Sequence, residues 1–437
     1  MFQYYFMLGI RSLRRNPALT ALMVLTLAIG VAASVSTLTI LHVMSGNPIP
    51  QKSERLLVPV FDVGPADGYT PGDRPDDAQL TYTDARNLLK SGQGSNRVAI
   101  YGVNTPVEPP RKDLGVFSMS GLATTRAFFA MFEAPFLHGQ PWTDADDSNG
   151  AKVIVLSREV SEKLFGKDNP VGKSVRVYDA EWQIVGVLDK FMPLPRYYRL
   201  TGAGGAFGTE DEFMIPFHSS ILQKNANSGN THCSANSGAG FQAFIESECT
   251  WIQFWFETGS ASKRDELKDF LTAYQAEQIK LGRFKRNAPT HVYDVMEWLD
   301  YNKVIGNDSK LSAWLAFAFL LLCLVNAIGL LLAKFSVRAS EVGIRRALGA
   351  SRKEIFRQFL IETAVVGLAG GVLGLLLAFG ALALIGMQSK QMALVAHMDW
   401  VMLGFTFIVS VSAAILAGLL PTWRACQVTP AIQLKSQ

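Results

Sequence analysis

Charge is what this chain has little of. Asp, Glu, Lys and Arg make up 18% of its 437 residues, and only six histidines accompany them. The formal net charge is a modest +4, and its distribution, with the basic excess outside the large middle segment, does not suggest the concentrated basic face on a folded domain that nucleic-acid binding needs. The 49% apolar content excludes a disordered chain, which cannot bury enough apolar surface to fold. Four cysteines are too few to build the fold itself. A phosphate-binding loop is also lacking. Gly172-Lys173-Ser174 comes nearest, but the glycine required five residues before Gly172 is Lys167, and Gly166 misses by one place. Asp144, Asp146 and Asp147 lack the glycine and closing glutamate of a calcium loop and read as a solvated turn. His232 beside the cysteines lacks metal-ligand spacing. No Ser/His/Asp set or paired carboxylates stand out, so the chain is expected to be non-catalytic, holding no metal or cofactor of its own.

Long apolar runs are what it has. Residues 18–44 contain no acidic or basic side chain except His42, and 27 residues exceed the 7–15 of a signal-peptide core. Three more runs follow at 311–333, 363–387 and 400–420, each about the 20 residues that cross a bilayer. The expectation is a membrane protein with four transmembrane helices and a large α+β domain, residues 45–310, between the first and second. That middle segment carries 28 basic and 33 acidic residues, so the basic excess lies next to the spans. Basic segments stay inside, which puts both termini in the cytoplasm and 45–310 outside. Residues 1–17 read as an amphipathic helix in the inner interface, 388–399 as a short outer loop and 421–437 as a cytoplasmic tail. Gly367, Gly370, Gly371 and Gly374, at four-residue spacing, suit a helix-packing seam. Asn326 is expected to bond between helices.

Within 45–310, strands are expected at Arg55–Asp62, Arg97–Val103 and, with alternating character, Cys249–Glu257. Helices are expected at Thr81–Lys90, capped by Thr81 or Thr83, and at Lys263–Lys280. These βα units flank an insertion of about 116–236, with a strand at Lys152–Leu156, a helix at Arg158–Phe165 and a hairpin from Val175–Tyr178 to Trp182–Leu188. Leu200–Gly208 and Asn225–Gly240 read as mobile loops. Val292, Val295, Met296 and Leu299 suggest a short helix leading back to the membrane. In an oxidising exterior Cys233 and Cys249 would pair; free or intermolecularly bonded thiols are the alternative.

The loop 334–362 carries seven basic residues against three acidic ones, and it is patterned. Val342, Leu348, Ile355 and Phe359 recur at helical spacing, with Ile344 and Phe356 widening the stripe. Glu341 precedes Arg345 by four, and Gly349 and Ser351 offer a break and a fresh N-cap. A basic membrane-surface loop without a partner is the alternative to a docking element.

The run Glu341-Val-Gly-Ile-Arg-Arg-Ala-Leu-Gly-Ala-Ser351, followed by Gln358-Phe-Leu-Ile-Glu362, resembles the signature of FtsX-like permeases, a family including MacB-type exporters and lipoprotein-releasing permeases. Phe136–Gly139, Trp142–Asp146, the run from Leu156, Asn169–Lys173 and Ile184–Val187 resemble the MacB-type outer domain, made of Porter and Sabre subdomains. The closing Pro421, Arg424, Pro430 and Leu434 also resemble the family pattern. The resemblance implies a permease of the bacterial inner membrane whose coupling helix, through Glu341, Gly343, Ile344, Arg345, Arg346, Leu348, Gly349 and Ser351, docks on a cytoplasmic ABC ATPase. ATP and Mg²⁺ would belong to that ATPase, expected on a separate chain. A second permease, a periplasmic adaptor and an outer-membrane channel are the other partners implied. Efflux driven by mechanotransmission is the leading expectation; lipoprotein release and control of a cell-wall hydrolase are the alternatives.

Overall fold

The computed structural model describes residues 16–75, 77–111, 113–201, 205–260, 262–396 and 400–426. The interfacial helix expected within 1–17 and most of the tail 421–437 therefore lie outside the described residues. Internal contacts divide the chain into an α/β unit, Gly46–Val304, and a helical unit made of the segments before and after it.

The chain begins with α1 (Pro17–Ser45), then enters the α/β unit. There it forms β1 (Leu56–Val60), β2 (Leu80–Thr81), α2 (Tyr82–Lys90), β3 (Asn96–Glu108), β4 (Phe117–Thr124), β5 (Phe136–Gly139), β6 (Val153–Leu156) and β7 (Ser174–Val177). It continues through β8 (Ala180–Leu188), β9 (Phe213–Pro216), β10 (Thr250–Glu257), α3 (Ser262–Lys280), β11 (His291–Tyr293) and α4 (Val295–Tyr301). The sheet runs β11-β1-β10-β3-β4-β9-β6-β8-β5, with β2 beside β10 and β7 joining β3 and β8. Strands from either side of the insertion meet, β1 pairing antiparallel with β10. The insertion extends the same sheet, because β4 lies along β3 from Phe117 to Thr124.

Two apolar cores cover the two faces of this sheet. Ala99, Tyr101 and Phe254 point into one, Val98, Ile100 and Trp255 into the other. This corrects the alternating character expected of Cys249–Glu257: β10 is buried at every position, since a central strand with both faces covered has no wet side. Thr81 caps α2, its Oγ1 accepting the Asp84 amide at 3.1 Å. Val292 belongs to β11, paired with Pro59, so the helix expected through it starts later, behind the Asp294–Glu297 capping box. The Asn225–Gly240 loop is not loose either. The Ser228 amide donates to Gly102 O at 2.8 Å, His232 bridges Thr250, and Cys233 is bonded to Cys249.

The helical unit adds α5 (Asn307–Val337), α6 (Ala339–Ala347), α7 (Arg352–Gly386), α8 (Lys390–Val395) and α9 (Trp400–Cys426). Among the described residues α1, α5 and α7 are long and apolar enough to cross a membrane. α1 packs on α5 and α7, which also contact α9. Small residues set the spacing: a Cβ on Gly30 would sit 2.8 Å from Cys323 Cβ, and one on Gly374 3.0 Å from Ala28 O. Gly370 faces Leu27 in the same way, Gly367 is buried nearby, and Gly371 is only half-buried. Asn326 is exposed, outside the buried stripe of Ala316, Leu320, Cys323, Ala327 and Leu331, and no interhelical bond to it occurs among the described residues. Pro421 does not close the last helix. It removes only one amide donor, and α9 continues to Cys426.

Candidate coupling hairpin

α5, α6 and the first turns of α7 form a helical hairpin on the basic stretch 334–362. Leu348 closes α6 as its C-cap, and Gly349 turns the chain with φ of +100°. Nothing lies within 4 Å of a Cβ at Gly349, so its backbone angle, not crowding, calls for glycine. Ser351 and Glu354 form the capping box that starts α7: Ser351 Oγ accepts the Glu354 amide at 3.2 Å, and Glu354 Oε2 accepts the Ser351 amide at 3.1 Å. α7 then runs unbroken for 35 residues, about 52 Å at 1.5 Å per residue. That exceeds the ~30 Å of a bilayer core.

The inner side of the hairpin is apolar. Val342, Ile355 and Phe359 are buried, and Phe335 lies against Phe359 with ring centroids 4.4 Å apart. The outer side departs from the expected stripe. Leu348 is 83% exposed and Ile344 58% exposed. Ile344 is two residues from Val342, about 200° around a helix, and Leu348 lies beyond the end of α6, where helical spacing no longer applies. The two leave an apolar ridge, with exposed Ala347 between them, on a basic helix.

Charged groups tie the hairpin together. Arg345 donates to Glu341 Oε1 at 2.6 Å and to Gln358 Oε1 at 3.0 Å, which spans the two helices. Arg345, expected to face a partner, is thus engaged within the hairpin; Gly343 is buried and Arg346 half-buried. Glu362, 3% exposed, receives Arg338 Nη1 at 3.1 and 3.0 Å and stands 2.8 Å from Lys334 Nζ. Lys334 and Glu362 were outside the expected site. The signal was present: basic residues closing one apolar run and a lone carboxylate opening the next. A cavity of ≈ 20 Å³ between Arg338, Val342, Gln358 and Phe359 is too small for any ligand beyond a water.

In the α/β unit the phosphate-loop and calcium-loop look-alikes are engaged within the fold. Gly172 donates its amide to Ile184 O and Lys173 donates to Pro170 O, so backbone donors that a phosphate would need are used by the sheet and its turn. Thr143 caps a short helix, Asp144–Ser148, Asp146 completes the capping box, and hydrogen bonds from Thr143 hold the Asp146 carboxyl below the usual range. Burial pushes the Asp147 carboxyl up, opposed by the His218 amide at 2.9 Å. No group of three metal-binding side chains occurs among the described residues.

Two family profiles match the sequence. One, described as a MacB-like periplasmic core domain, covers residues 20–247; the other, an FtsX-like permease C-terminal region, covers 313–430. A macrolide export ATP-binding/permease protein MacB of Rhodopirellula baltica is 25% identical over 384 residues, covering 84% of this chain and 53% of that protein. A pyoverdine export ATP-binding/permease protein PvdT of Pseudomonas fluorescens is 24% identical over 317 residues, covering 71% and 42%. The chain spans about half the length of the curated relatives it matches. Among solved structures, the periplasmic region of MacB from Actinobacillus actinomycetemcomitans aligns with 56% of this chain and 92% of its own, at a TM-score of 0.36 and 13% identity. The extracellular domain of the ABC-type transporter YknZ aligns with 55% and 100%, at a TM-score of 0.35 and 16% identity.

Proposed function

This chain belongs to the family of MacB-like and FtsX-like ABC permeases, and from that premise we propose that it turns ATP hydrolysis in the cytoplasm into movement of its α/β unit outside the inner membrane. An ABC ATPase docks on the outer side of α6. The observation that carries this reading is the exposed pair Ile344 and Leu348 on a basic helix whose inner side is packed into the bundle. Apolar side chains left open at the end of a rigid hairpin suit a partner groove. Nucleotide and Mg²⁺ belong to that ATPase, on this polypeptide or another, since the described residues hold no phosphate loop.

Closure of the ATPase pushes α6. The push passes to α5, which leads directly from the α/β unit, and to α7, which packs on α1, the other helix joined to that unit. α9 is the fourth crossing. Spans with few polar groups provide no aqueous route, so cargo is handled outside the bilayer. The relatives named above carry export in their names, and efflux with an adaptor and an outer-membrane channel is the work assigned to this movement, with two permeases per assembly.

The test is docking. Burying one leucine against a partner contributes about 2 kcal/mol. Leu348→Asp, when the chain is produced with the ABC ATPase encoded with it, should weaken the complex by about 30-fold or more. An unchanged affinity in both Leu348→Asp and Ile344→Asp contradicts the proposal.

A further inference from the structure

A single carboxylate joins three helical segments. Lys334 stands in the last turn of α5, Arg338 lies at the joint between α5 and α6, and Glu362 comes eleven residues into α7. All three are enclosed: their side chains are 1%, 11% and 4% exposed. Arg338 lines a small cavity with Val342, Ile355 and Phe359. One negative charge between two positive ones, removed from water, is costly to assemble and costlier to leave incomplete. Simple anchoring does not need such a group, because lysines at a helix end can reach the interface. Lys334 does the opposite and turns inward.

The arrangement is also mechanical. Along α7, Gln358 and Glu362 are one turn apart, and each holds a different arginine: Gln358 takes Arg345 near the end of α6, Glu362 takes Arg338 at its start. α6 is therefore fastened to α7 at both ends. The Glu362 fastening also reaches α5, through Lys334. The geometry points to Glu362 as the positioning residue that makes α5, α6 and α7 move as one body when α6 is pushed. This rests on the coupling role proposed above and names the residue through which the push is shared. Glu362 is buried, and the exposed ridge at Ile344 and Leu348 does not include it.

The experiment uses the full chain in nanodiscs, with and without its ATPase, followed by hydrogen exchange. Glu362→Gln keeps the shape and removes the charge. Without the ATPase, amides of 339–347 should exchange at least tenfold faster than in the native chain. With the ATPase bound, the complex and its hydrolysis should persist, while the ATP-dependent change in exchange over 46–304 disappears. Glu362→Asp, which keeps the negative charge opposite Lys334 and Arg338, should restore both behaviours. Unaltered exchange in 339–347, an ATP-dependent change that survives Glu362→Gln, or a Glu362→Asp variant no better than Glu362→Gln overturns the proposal. Failure of the native chain to bind the ATPase would instead defeat the docking reading, and the exchange arm without ATPase would still decide the role of Glu362.

Discussion

Cys233 and Cys249 close a loop whose ends are 16 residues apart, and the disulfide holds a Gly/Ser/Asn-rich segment across the start of β10. In the chain-entropy picture such a crosslink stabilises by about 3 kcal/mol, mostly by restricting the unfolded chain. Cys249→Ser should lower the unfolding midpoint of the α/β unit by several degrees, and reductant should do the same to the native protein without adding to the variant's loss. Equal midpoints with and without reductant would contradict this. Close by, Arg283 donates to both Asp84 oxygens, at 2.7 and 3.0 Å, and to Glu248 at 2.9 Å, which ties α2 to the segment after α3. Single residues of this kind were unevenly readable. The cap of α2 was visible as a choice between Thr81 and Thr83, because a hydroxyl at the start of an apolar-periodic stretch is a local signal, and the structure takes Thr81. The cysteine pairing was readable because it needs only a compartment and a spacing. The Arg283 network joins residues about 200 apart in sequence and could not be seen.

At the scale of elements, the helical unit depends on glycines at contact points. A side chain at Gly374 would run into Ala28 O and Val31, and one at Gly30 into Cys323. Both positions let α1 lie against its neighbours. Gly374→Leu should separate α1 from α7 and reduce stability in detergent by about 2 kcal/mol, as overpacking does, whereas Gly380→Leu, where nothing lies within 4 Å, should change it little. The reverse order would show that α1 and α7 do not pack this way. The long apolar runs declared these helices without help. Their faces were harder. Periodicity counted Val342 and Leu348 as one stripe, but a C-cap separates them, and Ile344 lies on the far side of α6. For β10 the error ran the other way: a second core, contributed by residues from Ile49 to Val304, covers the face that alternation would have left wet.

At the scale of the whole molecule, one chain carries a helical hairpin with an exposed apolar ridge and a separate α/β unit, joined by α1 and α5. The transmission account requires these two parts to stand on opposite sides of the membrane. Leu348, at the end of α6, and Ser260, in the exposed turn between β10 and α3, are suitable reporters. Leu348→Cys and Ser260→Cys, each in a chain also carrying Cys426→Ser, can be treated with a membrane-impermeant maleimide. The account predicts that Ser260→Cys labels in spheroplasts and Leu348→Cys only in inside-out vesicles. Labelling of both from the same side would contradict it.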